Sequence, residues 1–261
     1  MDGPAPSWQD LHARFEGRGA GFAFVVPVFN HARNVGQVVA AAARSGAPVL
    51  AVDDGSTDDS GEVAAAAGAT VIRHERNQGK GAAILSGLAA AAARGGRFAI
   101  TVDADGQHRP DEARGLLAAL WPSGALEPET ALVLGTRADM DQAAVPWSSR
   151  MGRGFSGFWV WAAGGPRVSD SQSGFRVYPV AETLALPTRA RRFQFEVEVL
   201  VRAHRVGLPI HEVPVSVVYD PPGGRVSHFR PWRDFGRNSA TFTRLLLSRF
   251  LPRGRGGRHG A

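Results

Sequence analysis

The chain has 261 residues, 44% of them hydrophobic and 21% charged, a formal net charge of +6, and no cysteine. That length and apolar content suit one folded α/β domain with appendages, and the missing cysteine excludes disulfides and thiolate metal sites, as in a cytosolic protein. The opening MDGPAPSWQD lacks a basic start and an apolar core, and no apolar run reaches spanning length, so neither export nor a transmembrane segment is expected.

Residues 1–20 read as an N-terminal extension. Beyond them strands and helices alternate. Residues 22–28 (FAFVVPV) form a first buried strand and 34–44 an alanine- and valine-rich helix. Residues 47–52 (APVLAV) form a second strand that ends on Asp53-Asp54-Gly55-Ser56, and 58–67 a second helix capped by Thr57 or Asp58. A short strand at 69–73 precedes Asn77-Gln78-Gly79-Lys80-Gly81 and a long helix to about Arg94. Repeated strand-helix units of this kind predict a mainly parallel central sheet with helices on both faces.

The fourth strand is the most informative. Residues 99–108, AITVDADGQH, are apolar until Asp103-Ala104-Asp105, with Gln107 two residues on. On an extended segment, residues two apart share a face, so Asp103 and Asp105 converge. Two carboxylates and an amide oxygen suit Mg²⁺ or Mn²⁺, which keep open positions for the phosphates of a nucleotide. The alternative is an Asx turn, since Asp-x-Asp-Gly is also ordinary turn chemistry.

In open parallel sheets, ligands sit beyond the carboxyl ends of the strands. There the chain places Pro27 to Asn30, Asp53 and Asp54, Lys80 and Gly81, and Asp103 and Asp105. A helix that opens on Gly-Lys-Gly brings backbone N–H groups and a cation to a phosphate. Neither the GxxxxGK[ST] phosphate loop nor a GxGxxG after the first strand is present, which argues against ordinary NTPase and dinucleotide chemistry.

The basic charge lies at the C-terminus. From Arg225 onward there are nine arginines and one acid, Asp234, a local +8 that leaves about −2 for residues 1–224. Within 231–250, Trp232, Phe235, Phe242, Leu245, Leu246 and Phe250 recur at helical spacing among arginines. Such a basic amphipathic helix either lies on an anionic membrane surface or packs its apolar face on the domain. Residues 251–261 read as a disordered basic tail. No nucleic-acid motif is present, and no nucleic-acid partner is expected. Residues 155–163 (FSGFWVWAA) are apolar all round and too short to span a bilayer, so they are either a core helix or a surface that meets a lipid chain.

VPVFNHARNV, AVDDGSTDDS, RNQGKGAAILSG and TVDADGQH, in this order, resemble the family 2 glycosyltransferases of the GT-A fold. With Asp-Ser-Gln-Ser-Gly-Phe-Arg at 170–176, the chain is similar to dolichol-phosphate mannose synthases and bacterial polyprenyl-phosphate glycosyltransferases over roughly residues 22–230, which implies a GT-A domain over 21–230. The family usually has Glu after the asparagine of its first loop, where this chain has His31.

The resemblance implies an inverting, metal-dependent transfer of a sugar from a UDP- or GDP-linked donor to a lipid phosphate. It implies a peripheral enzyme on the cytoplasmic side of the membrane. Pro27, Phe29, Asn30, Asp53, Asp54, Lys80, Asp103 and Ala104 would contact the nucleotide-sugar, and Asp103, Asp105 and Gln107 would hold Mg²⁺ or Mn²⁺. Asp105 and Asp170 are the catalytic candidates, Asp170 as a base for a hydroxyl acceptor, with Glu196 and Glu198 behind it or serving as helix-surface or ion-pair residues. Arg137, Arg150, Arg153, Arg176, Arg225 and Ser227 would meet an acceptor phosphate, for which arginine offers bidentate hydrogen bonding. Two other readings remain: a glycosyltransferase acting on a glycan or lipid hydroxyl, and a non-catalytic membrane-bound sugar-nucleotide binding protein.

Overall fold

A computed structural model describes residues 5–16, 21–122, 125–137, 157–218, 241 and 243–247. The apolar runs Gly21–Val28 (β1) and Val49–Asp53 (β2) pair in parallel, with Val26 opposite Ala51 and Val28 opposite Asp53. Thr70–Arg73 (β3) continues the parallel set beyond β2, and Gly96–Thr101 (β4) pairs in parallel with the other side of β1. Leu132–Arg137 (β5), Arg176–Pro179 (β6) and Ile210–Val215 (β7) complete a seven-stranded sheet in the order β3-β2-β1-β4-β6-β5-β7. Only β6 runs against its neighbours, β4 and β5. Its first residue therefore lies at the rim where the parallel strands end.

Alternation along β1 buries both faces, which is why it reads as an unbroken apolar run. Phe22, Phe24, Val26 and Val28 enter one core layer with Trp8–Phe15 (α1), Ala32–Ala43 (α2), Ser60–Ala66 (α3) and Ala113–Ala118 (α5). Ala23 and Val25 enter the other with Lys80–Ala92 (α4), and past a helical stretch at 157–162 (α6), with Val180–Ala185 (α7) and Gln194–Arg205 (α8). The mainly parallel sheet with helices on both faces is as expected.

Three sequence expectations need adjustment. Residues 5–16 are part of the domain: Ser7 and Asp10 form a capping box, and Leu11 and Phe15 are buried in the first core layer. α3 starts at Ser60, and neither Thr57 nor Asp58 caps it; the Asp58 carboxylate instead accepts from the backbone N–H groups of Ala32 and Ser60, tying the starts of α2 and α3. α6 is neither wholly core nor wholly surface, since Val160 and Ala163 are buried while Phe158 and Trp161 are about half exposed.

Of the segment 231–250, the described residues 241 and 243–247 are helical. Leu245 is buried against Val160, Ala163, Val197 and Val201, so this part of its apolar face packs on the domain. Glu198, fully buried on α8, fastens it. Its carboxylate accepts from the N–H groups of Arg189 and Ala190 at 3.0 and 2.7 Å and pairs with Arg202 at 2.7 Å and Arg244 at 3.1 Å. Arg205 adds hydrogen bonds to the carbonyls of Ala163 and Leu245. Among the described residues, no helix is long and apolar enough to cross a membrane.

Glu198→Ala leaves buried N–H groups and two arginines without their acceptor. It is expected to cost about 3–5 kcal/mol of stability, seen as a lower urea midpoint at unchanged slope. A midpoint equal to that of the unmodified protein would show that the 241–247 segment is not fastened through this acid.

Candidate active site

The polar clusters gather at the carboxyl rim of the parallel strands. β1 ends at Val28, and Pro27 and Phe29 beside it are partly exposed. Asn30 takes a left-handed conformation, φ 54°, which asparagine tolerates better than most residues. Its N–H donates to Ser56 Oγ at 3.0 Å and its Oδ1 accepts from Thr57 N–H at 2.8 Å, so the loop after β1 is clamped to the loop after β2.

Asp53 and Asp54 hold these loops from beneath. Asp53 is fully buried, accepts from Ser56 N–H at 2.8 Å and lies 3.4 Å from Arg73 Nε. Asp54, equally enclosed, accepts from the N–H groups of Gln78 and Gly79 at 2.9 and 2.7 Å and sits 2.7 Å from His74 Nδ1. His74 Nε2 in turn lies 2.9 Å from Ser86 Oγ on α4. Both carboxylates are buried among protein groups, with Asp53 Oδ2 left without a hydrogen-bond partner.

That turn delivers Lys80. Gly79 has φ 106°, and a Cβ there would fall 2.5 Å from Arg192 Cγ and 2.6 Å from Arg191 O, so only glycine fits where α4 starts against the approach to α8. Lys80 Nζ then lies 2.7 Å from Asp103 Oδ1 and 2.8 Å from Glu196 Oε1, with the ring of Phe193 6.0 Å away. Burial pulls the lysine down, but the two carboxylates outweigh it and hold the ammonium above its ordinary range. Burial likewise opposes the charge on Asp103, and Lys80, with His108 and His31, overcomes it and keeps that carboxyl low. For Glu196 the balance reverses: burial wins over the attraction of Lys80 and Arg176, and its carboxyl is pushed up.

Asp103 and Asp105 do not sit on an extended segment. β4 ends at Thr101 and the chain turns at 104 and 105, so strand alternation is not what orients these acids. Ala104 is buried in this turn, Asp105 Oδ1 accepts from Gln107 N–H at 3.0 Å, and Asn34 Nδ2 donates to Asp105 O at 2.9 Å. The Asx turn is therefore present, and among the described residues no group of three acidic, histidine or cysteine side chains is gathered as a metal site. Asp103, Asp105 and Gln107 are each partly exposed, and with oxygen donors only they fit a hard divalent ion. Gly174 makes the space: a Cβ there would stand 2.5 Å from Asp103 Oδ2 and 2.6 Å from Lys80 Nζ.

Of the arginines expected to meet an acceptor phosphate, Arg137 and Arg176 are among the described residues. Arg137, at the end of β5, donates to both oxygens of Asp170, Nε at 2.6 Å and Nη2 at 3.2 Å, while Gln172 N–H also binds Oδ1. Asp170, expected as a base, is nearly fully buried and has both oxygens paired with Arg137. The expectation for Arg176 is corrected. Its guanidinium is wholly buried and donates to the carbonyls of Ser173, Glu196 and Ser171, which leaves it bracing the loop before β6 and out of reach of a phosphate. Arg150, Arg153, Arg225 and Ser227 lie outside the described residues.

His108, Gly174 and His74 carry weight that the sequence reading missed. His108 stacks on Phe175 at 5.2 Å, and burial, more than Asp103 offsets, pushes its imidazole down. The motif TVDADGQH contains it, and SGFR contains Gly174, so both were within reach. His74 carried no signal.

A family model for glycosyl transferase family 2 matches residues 23–177. The chain belongs to that family. It is a glycosyltransferase. A UDP-N-acetylglucosamine–dolichyl-phosphate N-acetylglucosaminyltransferase of Methanococcus voltae is 32% identical over 57% of this chain, which spans 59% of that protein's length. An undecaprenyl-phosphate mannosyltransferase of Micrococcus luteus is 28% identical over 65% of this chain and 71% of its own. Among solved structures, glucosyl-3-phosphoglycerate synthase from Mycobacterium tuberculosis, in complex with Mn²⁺, UDP and glucosyl-3-phosphoglycerate, aligns with a TM-score of 0.69 at 24% identity over 98% of this chain and 88% of that chain. That likeness bears on the fold, which is GT-A.

Gly174→Ala is expected to force Asp103 and Lys80 apart and to cost the ~1–3 kcal/mol typical of a forced methyl group, seen as a lower urea midpoint; an unchanged midpoint would show that the loop before β6 yields without disturbing this contact.

Proposed function

We propose that this glycosyltransferase moves a sugar, with inversion, from a nucleoside-diphospho-sugar to a polyprenyl phosphate at an anionic membrane surface on the cytoplasmic side. The carrying observation is the Arg137–Asp170 pair. An acceptor hydroxyl needs a base, and the carboxylate best placed for that role has both oxygens committed to an arginine. A lipid phosphate is already anionic near neutral pH and needs a cation instead. Arg137 is about one-fifth exposed, with its direction fixed by Asp170. The names of the Methanococcus voltae and Micrococcus luteus relatives point to the same acceptor chemistry.

Pro27, Phe29 and Asn30 would meet the base and ribose of the donor, and Lys80 its diphosphate. Asp103, Asp105 and Gln107 would hold Mg²⁺ or Mn²⁺, which supplies Lewis-acid stabilisation of the leaving diphosphate when bound. Arg137 positions the acceptor phosphate for attack on the anomeric carbon opposite the leaving group. Asn30 and Asp54 keep the donor loops in register, and His108, stacked on Phe175, closes the floor beside Asp103. The arginines at 249, 253, 255 and 258 supply charge for acidic headgroups.

Transfer is measured with UDP- and GDP-linked sugars and Mn²⁺, against undecaprenyl phosphate and undecaprenol. Product is expected with the phosphate alone, and Arg137→Ala is expected to lower kcat/KM about 100-fold through two lost charge-assisted hydrogen bonds. Equal use of undecaprenol would overturn the acceptor assignment. Deleting residues 248–261, which spares the packed Leu245, is expected to weaken binding to phosphatidylglycerol vesicles at low salt and to make little difference at high salt. Identical binding at low salt would clear the tail of that role.

A further inference from the structure

A buried acid on α8 aimed at the cation beside Asp103 is left over by donor and acceptor binding alone. Glu196 is one-twentieth exposed at its side chain, and Lys80 about one-seventh. Lys80 cannot easily swing away. Gly79 packs on Arg191 and Arg192, a Cβ at Gly81 would lie 2.4 Å from Phe195 Cβ, Ala82 N–H donates to Arg191 O at 2.8 Å, and Gly174 leaves no spare space on the Asp103 side. The ammonium is thus fixed against the carboxylate that the metal reading assigns as a ligand, and a second acid shares it.

A fixed positive charge there has a consequence for binding order. A divalent ion arriving alone meets a cation already at Asp103, and the repulsion between them acts at short range in a partly enclosed site. A nucleoside diphosphate changes the balance, because its oxygens accept from the fixed Lys80 and its negative charge offsets the ammonium, so that the ion no longer meets an uncompensated cation at Asp103. We propose that Lys80 is a resident counter-ion that makes divalent-ion binding conditional on the donor diphosphate, and that Glu196 is the positioning residue that holds it there. This rests on the metal reading of Asp103, Asp105 and Gln107. With Glu196 in place, Lys80 is divided between two acids and Asp103 is not fully claimed; without that charge, the lysine collapses onto Asp103.

The test is direct Mn²⁺ binding to the full chain, read from the free-ion electron paramagnetic resonance signal, with and without UDP and corrected for the Mn²⁺–UDP complex. The unmodified protein is expected to bind Mn²⁺ weakly alone and at least tenfold more tightly with UDP. Lys80→Met is expected to bind Mn²⁺ alone about tenfold more tightly and to lose the enhancement by UDP. Glu196→Gln is expected to bind Mn²⁺ alone severalfold more weakly while keeping that enhancement. Because Lys80→Met strands a buried acid, the near-isosteric double variant Lys80→Met/Glu196→Gln is included, and it too should show no enhancement by UDP. If Lys80→Met and the double variant bind Mn²⁺ as the unmodified protein does, with the UDP effect intact, the counter-ion role is overturned while the metal site stands. If Asp103→Asn leaves Mn²⁺ binding unchanged in the presence of UDP, the metal reading itself fails and the inference falls with it.

Discussion

One ammonium shared by two carboxylates joins three elements that the chain order keeps far apart. Lys80 starts α4, Asp103 follows β4 and Glu196 lies in the first turn of α8. Unpaired, the enclosed Lys80 and Glu196 would be costly charges; together with the partly exposed Asp103 they satisfy one another. The surrounding structure is arranged so that they meet. Asp54 shapes the Gly79 turn, Gly79 and Gly81 let α4 reach the approach to α8, and Gly174 clears the last contact. The requirement for glycine at these positions follows from the ion triad more than from the turns alone.

The antiparallel strand β6 gives the site its second wall. Opposite Thr101 on β4 and Leu134 on β5, Arg176 brings the start of β6 to the rim where its neighbours end. The loop that enters β6 therefore lies beside both Asp103 and Arg137. It contributes Asp170 to Arg137 and Gly174 to Asp103, with Arg176 bracing it through three carbonyls and Thr101 Oγ1 donating to Gly174 O at 2.7 Å. A parallel strand in this place would have carried its preceding loop to the opposite edge of the sheet. One reversal of direction thus puts Asp103 and the Arg137–Asp170 pair side by side.

How far the sequence spoke depended on the range of the interaction. β1 and β2 were legible because strands covered on both faces read as continuous apolar runs, and the loop clusters were legible because parallel strands put their ends at one rim. The order of β5, β6 and β7 was not, since pairing partners carry no local mark. Asp103 and Asp105 were found as residue types but given the wrong geometry, because alternation stops where the chain turns after Val102. Arg176 looked like a phosphate ligand by composition, yet its destination was set by carbonyls on α8 and the loop before β6. Asp170 was chosen for its chemistry, and only the position of Arg137 shows how that chemistry is used.

The two acids of α8 show the same limit and what lies beyond it. Glu196 and Glu198 stand two apart, so on a helix they face nearly opposite directions, and one sequence motif serves two unrelated environments. Glu196 points into the site at Lys80. Glu198 points to Arg202, Arg244 and the N–H groups of Arg189 and Ala190. A pattern reading of FQFEVEVL leaves a site role, a helix-surface place and a structural ion pair open, and both carboxylates are buried in ion pairs. The rigid body of α8 therefore connects the cation at the donor site to the helical segment 241–247, whose Leu245 packs beside α6 and its exposed Phe158 and Trp161. This arrangement sets Lys80 and the helical segment 241–247 on a single framework. Their relative placement is then fixed by side-chain packing and ion pairs instead of by loops.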